Sequence, residues 1–179
     1  MIVGQKTRLR GIEREDIPTF VKWFNDPEIR HYLEVYLPMS KAAEEGWFEA
    51  QLKDDSSRIF AIETEEGVHI GNISLGELDW KNRKAFLGIV IGEKEYWGRG
   101  YGTDAIISLL DFAFKEMNLH RVYLYTYDFN QRALRCYEKC GFRHEGRARQ
   151  AHFTDGKYHD YLLMAILREE FVSEDVRKE

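Results

Sequence analysis

Proline is scarce in this 179-residue chain, with three residues, Pro18, Pro27 and Pro38, all in the first quarter. Beyond residue 38, proline therefore breaks no helix or central strand. Cysteine is scarcer still. Cys136 and Cys140 stand four apart on an expected helix, with no metal-ligand spacing around them. That excludes a disulfide framework and a cysteine-bound metal, and the expectation is a buried, reduced pair. No apolar run reaches the ~18–20 residues that span a bilayer. The opening MIVGQKTRLRG lacks the apolar core of a signal peptide. A cytoplasmic protein with no membrane association is expected. Positive charge is also in deficit, 26 Lys and Arg against 31 Asp and Glu, for a net charge of −5. Nucleic acid is an unsuitable partner for such a surface, because its binding rests on neutralising phosphates. Cationic partners suit it better. No repeat, linker or low-complexity stretch is visible, so a single domain over 1–179 is expected.

What is present is a core. Hydrophobic residues make up 44% and aromatics 14%, enough to exclude disorder. TRLRGI (7–12) alternates as a strand. REDIPTFVKWFND then offers Asp16 as a cap and Pro18 in the first helical turn, with Ile17, Phe20, Val21 and Phe24 at helical spacing. SKAAEEGWFEAQLKD (40–54) reads as a second helix opened by Ser40, its apolar face built from Ala43, Trp47, Phe48 and Leu52. From Arg58 the period becomes two. RIFAIET, VHIGNISLGELD and RKAFLGIVIG are three strands joined at EEG and WKNR, an antiparallel meander. TDAIISLLDFAFKEMN (103–118) is an apolar-faced helix and RVYLYTYD (121–128) a strand. Strand, helix, strand makes a βαβ unit, so those two strands should be parallel. NQRALRCYEKCGF (130–142) is a short helix closed by Gly141. RHEGRARQAHF, TDGK and YHDYLLMAIL form a closing hairpin, followed by the charged tail REEFVSEDVRKE.

The segment KEYWGRGYGTDA places Gly98, Gly100 and Gly102 where a strand hands over to a helix. A helix N-terminus presents unpaired N–H groups and a partial positive charge. Glycines ahead of it let an anion reach the backbone, so WGRGYGT reads as a phosphate cradle to which Arg99 adds charge. A tight strand-to-helix turn is the alternative. The P-loop pattern G-x-x-x-x-G-K-[ST] and the dinucleotide pattern G-x-G-x-x-G are both absent.

These residues resemble the GNAT superfamily of acyl-CoA-dependent N-acetyltransferases. Its pyrophosphate loop, [QR]-x-x-G-x-[GA], is matched by Trp97, Gly98, Arg99, Gly100, Tyr101 and Gly102, with Trp97 departing from the usual Gln or Arg. About 30 residues on, N-x-x-A-x-x-x-Y-x-x-x-G-F is matched by Asn130, Ala133, Tyr137, Gly141 and Phe142. The resemblance runs from about Thr7 to Leu167. It is narrowest to the branch of ribosomal-protein alanine and spermidine acetyltransferases. It implies an α+β fold, with a mixed, mostly antiparallel sheet of about seven strands flanked by helices and one parallel pair splayed to hold CoA. Residues 84–142 would form the cofactor half, and 13–55 with 143–168 the acceptor side.

The resemblance also implies roles. Acetyl-CoA would lie along the strand edge at Ile89, Val90 and Ile91, with its pyrophosphate on the N–H groups of 98–103, including Thr103. Asn130 would hold a pantetheine amide or carbonyl, and Tyr137 would protonate the departing thiolate. A core tyrosine is the alternative reading of Tyr137. The amine must lose a proton, for which Glu77 and Asp79 are candidates at a strand end, sharing a face if the two-residue period holds. A solvated turn is their alternative. Glu28, Tyr32, Glu34 and Tyr36 offer carboxylates and aromatic faces to a cationic acceptor. Five of the six histidines, His31, His120, His144, His152 and His159, fall in no recognisable triad. A polyamine-like amine is the first reading of the acceptor and a protein N-terminus the second. A non-catalytic acyl-CoA-binding domain is a third reading, of another class. The closing hairpin has an edge that would allow a homodimer or higher oligomer.

Overall fold

The computed structural model describes residues 1–171. Its strands are β1 (Ile2–Val3), β2 (Thr7–Gly11), β3 (Arg58–Thr64), β4 (His69–Asp79), β5 (Lys84–Ile91), β6 (Arg121–Tyr127), β7 (Arg143–Thr154) and β8 (Lys157–Leu167). Its α-helices are α1 (Ile17–Asn25), α2 (Pro27–Arg30), α3 (Lys41–Gln51), α4 (Tyr101–Lys115) and α5 (Gln131–Cys140). Among the described residues the strands form one sheet of eight, in the order β1-β2-β3-β4-β5-β6-β8-β7. About seven strands were expected. The addition is β1, whose two residues are too short to show a period. Every pairing is antiparallel except β5 with β6, which α4 joins by the expected crossover. Of the charged tail, Arg168–Glu170 form a 3₁₀ turn, and residues 172–179 lie outside the described residues.

Local chemistry explains the helices. Pro18 sits in the first turn of α1, where its missing N–H is no loss. Asp26, ahead of Pro27, is extended, as a residue before proline prefers, and this stops α1. Its carboxylate then accepts the Glu28 N–H and caps α2. Ser40 caps α3 by accepting the Ala43 N–H at 3.1 Å. That helix ends at Gln51, and Leu52, assigned from sequence to its apolar face, is exposed. Helix α4 begins at Tyr101, two residues earlier than its period suggested, which draws Gly102 into its first turn.

The sheet separates two cores. On one side α4 and α5 cover Leu9, Ile62, Ile73, Leu87 and Val122, packing Ile106, Leu109 and Leu110 among them. On the other, Phe20, Trp23 and Ile29 gather with Trp47, Val90 and Trp97. Strand β5 alternates accordingly, with Leu87, Ile89 and Ile91 facing the first core and Val90 the second. Phe20 and Trp23 are fully buried, and burial of such side chains contributes roughly 1.5–3 kcal/mol each. Trp23 lies directly on Gly92, where an added Cβ would come within 2.0 Å of its ring.

Candidate functional site

Strands β5 and β6 pair only from Lys84↔Arg121 to Phe86↔Tyr123. Both continue, but without further pairing between them. Where they part lies a cavity of about 530 Å³, walled by Gly88–Ile91 on one side and Tyr125–Tyr127 on the other. Gly92 N–H donates to Ile70 on the β4 side. By the alternation of a strand, residue 91 turns its main-chain groups the opposite way, toward the gap, and residue 89 does the same. The Ile91 carbonyl is already taken, accepting the Trp97 indole N–H at 2.7 Å. Ile89 is thus the position on this edge best placed to pair with an added extended chain.

The glycine loop closes one end. Gly98 and Gly100 have φ of 70° and 88°, left-handed values that explain glycine at both. Nothing lies within 4 Å of a Cβ built on Gly98, so that face of the loop is open. Gly102 is helical, and a Cβ there would make only ordinary contacts, at 3.8–4.0 Å, with Cys136, Ile91 and Ile89. The Asp104 carboxylate accepts the main-chain N–H groups of Gln5, Lys6 and Thr7, and the Thr7 hydroxyl at 2.6 Å. This buried anchor ties the start of α4 to the β1–β2 turn. Trp97, Gly98, Gly100, Gly102 and Thr103 line the cavity. Arg99 and Tyr101 lie off it, the Arg99 guanidinium resting over the Tyr96 and Tyr101 rings at 5.6 and 6.0 Å.

Helix α5 forms the floor. Asn130 caps it, its side-chain oxygen accepting the Ala133 N–H at 3.2 Å. Its amide nitrogen is left to donate, which suits a carbonyl. Asn130, Ala133 and Tyr137 all line the cavity. Tyr137 is 8% exposed, and burial, with Cys136 and Cys140 adding to it, pushes its phenol far above the usual range. It therefore stays protonated, in the form of a donor. Cys136 is not the buried bystander its spacing suggested. It lines the cavity 3.3 Å from the Thr103 hydroxyl, and hydrogen bonding with Cys140 and Thr103 draws its thiol below the usual range.

Another stretch of the wall is aromatic and acidic, and it adjoins the loop, the Tyr32 and Trp97 rings lying 6.2 Å apart. Of the four residues singled out between 26 and 38, Tyr32 and Glu34 line the cavity. Glu28 is held with Asp26 on Lys94, and Tyr36 is 80% exposed. The Glu34 carboxylate accepts the Tyr161 hydroxyl at 2.5 Å. Tyr161 packs on Tyr125 and Tyr127, and His152 stacks on Tyr127 at 4.0 Å. Burial pushes the Tyr161 and Tyr127 phenols well up and the His152 imidazole down, so these groups stay neutral around one carboxylate. Sequence reasoning missed this cluster. The signal was there: Tyr123, Tyr125 and Tyr127 alternate along one strand.

Glu77 and Asp79 are placed differently. A bulge between Gly76 and Asp79, with Glu77 at a φ of 50°, breaks the two-residue period that would have aligned them. Asp79 is bound up with Asn82 in the turn. Glu77 is absent from the cavity wall and accepts the Tyr123 hydroxyl at 2.5 Å, with that phenol pushed up to about 12 by burial and by Glu77. Among the described residues no three His, Cys, Asp or Glu side chains gather as a metal site, and no helix is long and apolar enough to cross a membrane.

An open glycine cradle at a helix start, an unpaired strand edge and an amide donor together fit a long molecule with phosphates at one end and amides along its length. Comparison with known proteins agrees. Residues 6–143 match the Acetyltransferase (GNAT) domain family. The SPbeta prophage-derived N-acetyltransferase YokL of Bacillus subtilis is 33% identical over 168 residues, 94% of this chain and 93% of that protein. YdaF of Bacillus subtilis, named as a ribosomal N-acetyltransferase, is 37% identical over 109 residues, 61% of this chain and 59% of that protein. The crystal structure of a Vibrio cholerae spermidine N-acetyltransferase in complex with CoA and spermine superposes with a TM-score of 0.85 at 31% identity. That match covers 92% of this chain and 96% of the other.

Proposed function

This chain belongs to the GNAT family and is an acetyl-CoA-dependent N-acetyltransferase, and on that premise we propose that its acceptor is a primary amine of a polyamine-like cation. The observation that carries the choice is Glu34, a carboxylate set among tyrosines in the cavity wall. Aromatic faces and one carboxylate attract an ammonium group. The neighbouring phenols are held protonated, so they add no competing charge. We read 1–179 as one acetyltransferase domain, with 84–142 as its cofactor half and 13–55 and 143–168 as its acceptor side.

Bound acetyl-CoA supplies the thioester, and the residues of the chain do the rest. The N–H groups that open α4 take the pyrophosphate, and the Asn130 amide takes a pantetheine carbonyl. The main chain at Ile89 would hold the extended arm and offer its N–H to the thioester carbonyl oxygen. Tyr137, kept protonated by burial, would be the donor to the departing sulfur. Glu34 orients the amine. A side-chain or polyamine amine has a pKa of about 10.4, so under roughly a thousandth is neutral at pH 7, and proton removal is part of catalysis. Glu77 and its partner Tyr123 both lie off the cavity wall, so this reading gives Glu77 no direct part in that step.

The test is a free-thiol assay with acetyl-CoA against spermidine, spermine, N-terminal peptides, aminoglycosides and free amino acids, on wild type and Glu34→Gln. Loss of a charged hydrogen bond is worth about 1.5–3 kcal/mol, so KM for spermidine should rise roughly 10–100-fold while CoA affinity holds. Turnover of peptides alone would transfer the assignment to protein N-termini, where an α-amine near 7.8 needs less help in deprotonation.

A further inference from the structure

Helix α5 carries a stripe the reaction does not use. Arg132, Arg135 and Lys139 stand at i, i+3 and i+7, one face of a helix, and all three line the cavity. None makes an ion pair with a carboxylate among the described residues, although the chain as a whole is acidic. The stripe is held against the glycine loop, because Cys136 in its midst touches Thr103. The Arg132 guanidinium lies over the Trp97 ring at 3.7 Å and the Tyr32 ring at 5.1 Å. Stacking uses the face of the guanidinium and leaves its in-plane N–H groups free to donate. This also gives Trp97 a purpose in place of the usual Gln or Arg.

Two kinds of phosphate meet this end of the cavity. The diphosphate of CoA is a diester with one charge per phosphorus, the kind of group that helix N–H donors hold. Its 3′-phosphate is a terminal monoester, carrying roughly −1.5 to −2 near pH 7 with three acceptor oxygens. Guanidinium and ammonium groups are the fitting partners for that charge. We propose that Arg135 and Lys139, with Arg132 stacked behind them, bind the 3′-phosphate and make this chain discriminate CoA from dephospho-CoA. The same charges repel a cationic acceptor, leaving it the Glu34 carboxylate.

Calorimetric titration with CoA and with dephospho-CoA tests this. Wild type should bind CoA at least tenfold more tightly than dephospho-CoA. In Arg135→Ala/Lys139→Ala that preference should vanish, with dephospho-CoA affinity unchanged, and Arg135→Lys/Lys139→Arg should restore it. Both positions are exposed, so a thermal melt should show the fold intact. An equal preference in wild type and the alanine variant, or equal weakening of both compounds, overturns the proposal. Failure of CoA itself to bind wild type would overturn the cofactor site on which the proposal rests, a result distinct from loss of the preference.

Discussion

Glu44 on α3 is 2% exposed, and its Oε1 has no hydrogen-bond partner. Burial alone pushes its pKa up. Two effects compete when it ionises. Its place in the first turn of α3 favours a negative charge, a term of about 0.3–1 kcal/mol. An unsatisfied buried polar group costs about 1–3 kcal/mol, and more when charged. Burial wins, so Glu44→Gln should stabilise the protein at high pH by about 1 kcal/mol. The sign follows from proton counting. Below the unfolded pKa of about 4.3 both states hold the proton and ionisation costs nothing. Above it the folded state retains a proton that the unfolded state has lost, so stability falls with rising pH until the raised folded pKa is passed. Wild type should therefore lose stability across that window where the variant does not. Thermal melts at a series of pH values read this out, with an expected gap of ~2–4 °C on the alkaline side for a domain of this size. Parallel melting curves for the two proteins at every pH would refute the argument.

Tyr137→Phe should lower kcat roughly 100-fold with CoA affinity unchanged by calorimetry. An unaltered kcat would remove Tyr137 as the proton donor, and the complete absence of turnover in wild type would favour a binding domain. Because burial raises the Tyr137 pKa, its donor form persists, and the pH–rate profile should show no alkaline decline from this group below about pH 10. Gly92→Ala drives a Cβ to within 2.0 Å of Trp23, an overpacking expected to destabilise by about 1–3 kcal/mol, seen as a lower melting temperature.

The features legible in the sequence were those carried by short-range pattern. The meander from Arg58 to Ile91 and the parallel partner of β5 followed from period and crossover. The Gly98 and Gly100 signal followed from backbone freedom. What stayed hidden depends on groups distant along the chain. Nothing in GELD announces a bulge at Glu77 or its hydrogen bond to Tyr123. Arg132 reads as one more cation on a polar helix until Trp97 and Tyr32 come beneath it. Glu34 sits in a charged stretch like many others, and only the return of β8 brings Tyr161 to it.

The anchoring of Asp104 by residues 5–7 reaches further than packing. The glycine turn, nearly a hundred positions downstream, borrows its footing from the main chain of Gln5, Lys6 and Thr7. Replacing Asp104, which is no part of the cavity wall, would free the start of α4 and loosen the glycine turn without altering any residue that lines the cavity.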